Sequence, residues 1–305
     1  MKIAHLIMAH RDPEHIRRLA TRLSSVSDVY IHIDLKSDLA SFSELNTEAN
    51  VHYIQDRLNI EWGGWNSVAA EIALLKAALS QDNYDRLVFL QGADYPIKTN
   101  AEIQRFYNSK PDVEFVRACN CTQSKDGYFR DRCYGFWMLN NMKRFRLLKK
   151  VWNRMTRELH IEIRNGYASG NGANHEVFWG SAQWAITGKC AKYLIEFYDN
   201  HLDYNRWYYY CFPADELYFS TVIMNSEFAE KTTFGGPEKE QKWLANWRNL
   251  HYFEYCNDRI RTFFERDYTE LLNREELYVR KVNTLDSKEL LDLLDKDNME
   301  EARRL

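Results

Sequence analysis

The chain opens Ile3-Ala4-His5-Leu6-Ile7-Met8-Ala9-His10 and then, one residue on, Asp12-Pro13. A run that is apolar but for His5, without polar alternation, suits a strand covered on both faces, as in a parallel sheet. Asp-Pro then reads as a helix start. The carboxylate caps free N–H groups, and proline, which has no N–H to lose, takes the first helical position. Ile16, Leu19, Ala20 and Leu23 give that helix one apolar face. The alternation continues, with strands at 29–33 and 51–54, a helix at 67–79, and a fourth strand at 87–90. The tight segment Gly92-Ala93-Asp94-Tyr95-Pro96 follows. Strand and helix alternating through short connections predict an α/β fold, a mostly parallel, doubly wound (Rossmann-like) sheet flanked by helices. Such sheets bind ligands at the carboxyl ends of their strands. That singles out His10, Asp34 and Asp94, each just beyond a strand.

Composition narrows the classes. Of 305 residues 45% are hydrophobic, enough for a sizeable core and too many for a disordered chain. Lys plus Arg number 41 against 44 acids, so nothing in the balance favours nucleic acid and any cationic site is local. The N-terminus has no basic leader or cleavage site, and no stretch reaches the roughly 18 apolar residues of a membrane span. The expectation is therefore a cytoplasmic protein whose six cysteines are reduced thiols. The close pair Cys119 and Cys121 is weak evidence for a metal, as are the dispersed His10, His32 and His175.

The middle is less regular. Residues 119–137 read as a loop and 139–159 as a long helix. Gly166 to Asn174, rich in Gly and Asn, reads as a mobile active-site loop. Pro213-Ala214-Asp215-Glu216 starts another helix, and a charged helix ends the chain, preceded by a C-terminal strand. Within residues 142–159, Phe145, Leu148, Trp152, Met155 and Leu159 fall at helical spacing, with Lys143, Arg146, Lys149, Lys150, Arg154 and Arg157 over much of the rest. That is either a core-facing stripe with a solvated basic face or a peripheral membrane contact at an anionic surface. No linker divides the chain. We read one domain over 1–305: a nucleotide-binding half (1–110), an acceptor and catalytic half (111–250), and a diphosphate-binding segment with a helical tail (251–305).

No Gly-x-Gly-x-x-Gly, Walker loop, Gly-x-Ser-x-Gly or His-Glu-x-x-His is present. The Asp-x-Asp at Asp295-Lys296-Asp297 lies in the charged terminal helix and reads as a solvated face. An enzyme that transfers a sugar from a nucleotide without a metal must neutralise the departing diphosphate with Lys or Arg. Arg280-Lys281, after Leu277-Tyr278-Val279, is a candidate pair.

Seven blocks in order then resemble glycosyltransferase family 14, which comprises the core-2/I-branching β-1,6-N-acetylglucosaminyltransferases and peptide O-xylosyltransferases. They are His5 to His10; Tyr30-Ile31-His32-Ile33-Asp34-Leu35-Lys36-Ser37; Trp62-Gly63-Gly64-Trp65; Leu90 to Thr99; Gly180-Ser181-Ala182-Gln183-Trp184; Pro213 to Glu216; and Tyr278 to Lys281. The resemblance implies a GT-A-like fold and an inverting, metal-independent transfer from a UDP-sugar, with no cofactor. It places the general base on Glu216, the nucleoside at Asp34 with Trp62 stacked on it, and the diphosphate on Lys281. Trp62 in the core is the alternative. Where the animal branching enzymes use a second Arg this chain has His251, with Arg248 and Arg280 as replacements. Asp94 contacts the donor sugar or serves as a turn residue, and His10 completes the donor side. On the acceptor side the candidates are Glu176, Trp184 and Asp215. The expected activity is transfer of N-acetylglucosamine to a glycan hydroxyl, lipid-linked, in bacterial surface polysaccharide synthesis. UDP-xylose or UDP-galactose as donor, or a non-catalytic glycan- or nucleotide-binding module, are the alternatives.

Overall fold

A computed structural model describes residues 1–44, 48–137, 148, 151–152, 154–155, 158–159, 162–240, 248–257 and 259–304. Strand β1 (Ile3–Ala9) lies at the centre of a five-stranded sheet. Asp12 caps helix α1 (Pro13–Ser24), its carboxylate accepting from His15 N at 3.2 Å. β2 (Asp28–Ile33), the short helix α2 (Ala40–Ser43), β3 (Val51–Tyr53) and α3 (Trp65–Gln81) follow. β4 (Arg86–Gln91) then returns beside β1. The sheet order is β10-β4-β1-β2-β3, parallel except for β10 (Ala185–Thr187). Period-2 alternation divides the apolar side chains between the two faces. Ala4, Leu6, Leu87 and Phe89 pack with α3 and the helices Gly188–Asn200 and Ala214–Met224. Ile7, Ala9, Val88 and Leu90 pack with α1 and the helix Lys288–Arg304.

After β4 the chain turns at Gly92, where a Cβ would come within 2.7 Å of the Ala9 side chain. It leaves the main sheet as β5 (Asp94–Pro96). β5 pairs antiparallel with β14 (Tyr278–Arg280), and β14 pairs with β11 (His251–Tyr252). The last fifty residues are thus sewn to the carboxyl edge of the main sheet, opposite Asp94 rather than in sequence with it. The three stretches 1–110, 111–250 and 251–305 interleave, since β10 joins the first stretch's sheet and β14 joins β5.

Three expectations need correction. Residues 119–137 are not a loop: β6 (Ala118–Asn120) pairs with β9 (Phe178–Gly180), and α5 (Gly127–Tyr134) is capped by Asp126. The Gly/Asn-rich segment is a hairpin of β7 (Tyr167–Gly170) and β8 (Ala173–Glu176). Asn171 and Gly172 have φ 50° and 81°, the two positive values that a tight hairpin turn requires and that Asn-Gly supplies at low cost. Asp295 is no solvated face: Arg18 Nε (2.7 Å), Arg22 Nη1 (2.8 Å) and Tyr95 Oη (2.6 Å) all donate to it. Most of the helix expected over 139–159 lies outside the described residues. Leu148, Met155 and Leu159 are exposed, so they form no core-facing stripe.

Asp295 anchors the terminal helix to α1 through the buried Arg22. Asp295→Ala should therefore cost about 2 kcal/mol, the scale of a hydrogen bond to a charged group. Urea unfolding followed by circular dichroism measures this, and a change below about 0.5 kcal/mol would return Asp295 to ordinary surface.

Candidate active site

The helix Ala214–Met224 starts hard against the Trp62-Gly63-Gly64 loop, with Ala214 N donating to Gly63 O at 2.8 Å. Gly63 has φ 68°, and a Cβ there would lie 2.4 Å from the Phe212 ring, so both the backbone and the space require glycine. Two residues into the helix stands Glu216. Its Oε2 accepts from the indole N–H of buried Trp179 at 2.6 Å. The Arg132 guanidinium lies 4.0 Å from the Trp179 ring centroid. Burial and the neighbouring Asp215 push the Glu216 carboxyl up to about 7, against the pull of Trp179 and Arg132. Burial also raises Asp215. The helix dipole, expected to favour the charged form, is therefore outweighed. A carboxylate whose pKa is raised toward neutrality holds a proton more strongly, which suits a general base better than an ordinary glutamate.

The donor-side residues divide into an exposed set and a buried set. Asp34 follows β2 directly and is itself buried; it accepts from Lys36 N at 2.9 Å, while its own N–H donates to Ala9 O at 2.8 Å. His10 is exposed, and its carbonyl accepts from Ser37 Oγ at 2.7 Å. Partial burial and the cations Arg11, Lys36 and Arg280 hold its pKa down, with Asp34 opposing. Trp62 is 83% exposed and touches Phe212 edge-on at 4.9 Å, which overturns the core alternative; Trp65 packs inside instead. Lys281 is half-buried. Burial, Arg280 and Arg11 lower its pKa, and Asp94 opposes them.

Asp94 is wholly buried and has no free face for a sugar. Arg280 Nη1 donates to its Oδ1 at 2.6 Å, Gln91 N donates to Oδ2 at 2.7 Å, and His251 Nε2 lies 3.1 Å from Oδ2. Burial alone would raise this carboxyl, but Arg280 and His251 hold it at about 2. Asp94 and His251 are accordingly corrected from ligand contacts to supports. His251 is stacked on Tyr278 at 5.0 Å and almost without exposure. Arg248 is corrected as well. Its guanidinium donates to Phe253 O (3.0 and 2.7 Å), and it lines a cavity of about 480 Å³ with Phe106, Lys110 and Asn273, none of which belongs to the cation group.

On the acceptor side, Trp184 is only 2% exposed. It stacks on Phe89 at 5.3 Å and donates to buried Glu71 at 2.9 Å, so it is a core residue and cannot meet an acceptor. Glu176 ends β8 and accepts from Asn120 Nδ2 at 2.6 Å and from Gln123. Asp215 remains beside Glu216. Among the described residues, no group of three His, Cys, Asp or Glu gathers that could hold a metal ion, and all six cysteines are free.

Sequence reasoning passed over four residues. Trp179 and Arg132 flank Glu216; no motif marks them, since β6, α5 and β9 come together only in the fold. Arg11 follows His10 directly, so its place at a strand end was readable. For Tyr255, burial and the Glu216 charge push the hydroxyl up to about 12, while Arg280 pulls the other way.

A parallel α/β sheet with a raised carboxylate at a helix start and several cations at its strand ends defines a candidate group-transfer site. The chain belongs to the Core-2/I-Branching enzyme family, whose model matches residues 3–251. Xylosyltransferase 2 of Rattus norvegicus is 23% identical over 316 residues, covering 97% of this chain and 33% of that protein. The beta-1,3-galactosyl-O-glycosyl-glycoprotein beta-1,6-N-acetylglucosaminyltransferase of Bos taurus is 22% identical over 310 residues, covering 92% and 66%. The chain spans about a third of the length of the xylosyltransferases it matches. Among solved structures, S. aureus TarS 1–349 in complex with UDP-GlcNAc is similar at a TM-score of 0.29 and 16% identity, over 39% of this chain and 34% of that one. No helix among the described residues is long and apolar enough to cross a membrane.

The folded Asp94 carboxyl sits at about 2, below its value of about 3.9 in an unfolded chain. The stability it supplies is complete above about pH 4 and is lost as the pH falls toward 2 and below. Relative to wild type, Asp94→Asn should thus lose about 2 kcal/mol of pH-dependent stability between pH 6 and the acid limit. Parallel unfolding curves at every pH would show that Asp94 is not paired as described.

Proposed function

We propose that this chain transfers a sugar from a UDP-sugar to a glycan hydroxyl, by single displacement with inversion and without a metal ion. In this reading its sheet is the GT-A-like nucleotide-binding unit, with Asp34 and the exposed Trp62 taking the nucleoside. The acceptor oxygen attacks the anomeric carbon and its proton passes to the Glu216 carboxylate. The electron pair of the breaking C–O bond stays on the β-phosphate oxygen of UDP, beside Lys281. The observation that carries the reading is Glu216: a buried carboxylate of raised basicity at a helix start, oriented by Trp179. Metal independence is supported by Asp94, whose oxygens are taken by Arg280, His251 and a backbone N–H rather than left for a cation.

For the donor we propose UDP-N-acetylglucosamine, the sugar carried in the name of the bovine relative. UDP-xylose is the second reading, favoured by the xylosyltransferase matches over 97% of the chain.

UDP should raise the melting temperature equally with and without EDTA, because ligands that bind only the folded state stabilise it. A rise abolished by EDTA would contradict the metal-free reading. Glu216→Gln keeps the side chain's shape but cannot take the proton. UDP release from UDP-N-acetylglucosamine with a glycan acceptor should fall about 10²- to 10⁴-fold, with UDP affinity nearly unchanged. Turnover near wild type would remove Glu216 from the mechanism. Trp179→Phe removes a hydrogen bond that favours the charged carboxylate, so the acid limb of the rate–pH profile should move up by about one pH unit. An unmoved limb would dissociate Trp179 from the base.

A further inference from the structure

Four cations lie on the segments that meet beyond the carboxyl end of β1: Arg11 just after β1, Lys36 just after β2, and Arg280 and Lys281 at the end of β14, which is tied to the turn after β4. Two of them already have anionic partners. Lys36 Nζ lies 3.3 Å from Asp34, and Arg280 is 2.6 Å from Asp94. Arg11 and Lys281 make no ion pair among the described residues.

The backbone nevertheless holds these two together. Arg11 precedes Asp12, whose carboxylate accepts from Thr284 N at 2.8 Å, so the chain three residues after Lys281 meets the residue next to Arg11. Val282 N donates to Ala93 O at 3.0 Å, and this fastens the same segment to the turn after β4. Arg280 is fixed by the buried Asp94, which leaves the next residue, Lys281, at the edge. With burial, Arg280 and Arg11 both work against the ammonium of Lys281. Like charges held together by other parts of a scaffold are unfavourable until an anion of higher charge lies between them.

We propose that Arg11 is a diphosphate-binding residue of the donor site, sharing with Lys281 the charge that builds on departing UDP. The inference rests on the UDP-sugar reading above. As the bond from the anomeric carbon to the β-phosphate oxygen breaks, that oxygen keeps the electron pair and UDP gains one negative charge. The new bond to the acceptor oxygen replaces the broken one, and the acceptor's proton goes to Glu216. A guanidinium offers phosphate oxygens a fixed fork of N–H donors, whereas an ammonium acts as a point charge. Arg11 therefore binds the diphosphate and stabilises it further as its charge grows.

The test is calorimetric titration of UDP and of uridine, which lacks the diphosphate, into the full chain. Wild type is compared with Arg11→Ala, Arg11→Lys and, as a remote control, Lys296→Ala. Arg11→Ala should weaken UDP about 10- to 100-fold and leave uridine unchanged. Arg11→Lys, which keeps the charge and guards against a folding artefact, should recover part of the loss, and Lys296→Ala should lose nothing. UDP affinity within twofold of wild type in Arg11→Ala, or an equal loss for UDP and uridine, would overturn the assignment. A wild-type chain that binds neither compound would overturn the UDP-sugar reading itself, and this inference with it.

Discussion

The buried carboxylate of Asp94 joins two distant parts of the chain, and the site depends on that junction. An ionised carboxylate without solvent is costly unless charge and hydrogen bonds surround it. Here Gln91 N–H comes from the strand just before it, while Arg280 and His251 arrive from the C-terminal segment. The pairing of β5 with β14 sets the register, placing Arg280 opposite Asp94. Lys281 then follows directly on β14, one residue beyond the Arg280–Asp94 pair. That ion pair, with the strand pairing beside it, holds the C-terminal cations at the carboxyl end of the sheet.

The site's electrostatics are arranged in opposite senses at its two ends. Around Glu216, burial and Asp215 raise the affinity for a proton. Around Lys281, burial and two arginines lower it. In the proposed reaction a proton arrives at the first end as an electron pair arrives at the second. In that proposed reaction each environment favours the charge change that occurs at its own end.

Much of this was legible in the sequence where the determinants are local. The apolar run Ile3 to Ala9, the cap at Asp12-Pro13 and the helix start at Pro213 to Glu216 each carry their own signal within a few residues, and all three are present. Misreadings came where one composition serves two conformations. The glycines of Gly166 to Asn174 suit a loop, yet Asn171-Gly172 is also the preferred pair of a tight hairpin turn. Partners distant in sequence were the second source. Asp94 and Arg280 are 186 residues apart, and nothing near Asp94 says that an arginine will occupy it. Trp184 sits in a shared motif, yet only the packing against Phe89 and Glu71 shows that it faces inward. Family resemblance identifies residues that matter without distinguishing those that touch a ligand from those that support the ones that do.

The central claim is that the C-terminal segment and the ends of β1 and β2 form one UDP site around the Asp94 junction. Backbone hydrogen exchange with and without saturating UDP tests it most directly, because binding slows exchange where the ligand closes the structure. Residues 9–12, 33–37 and 278–284 should be protected together. Protection confined to 248–250 and 273–276, around the separate cavity that Arg248 lines, would contradict it.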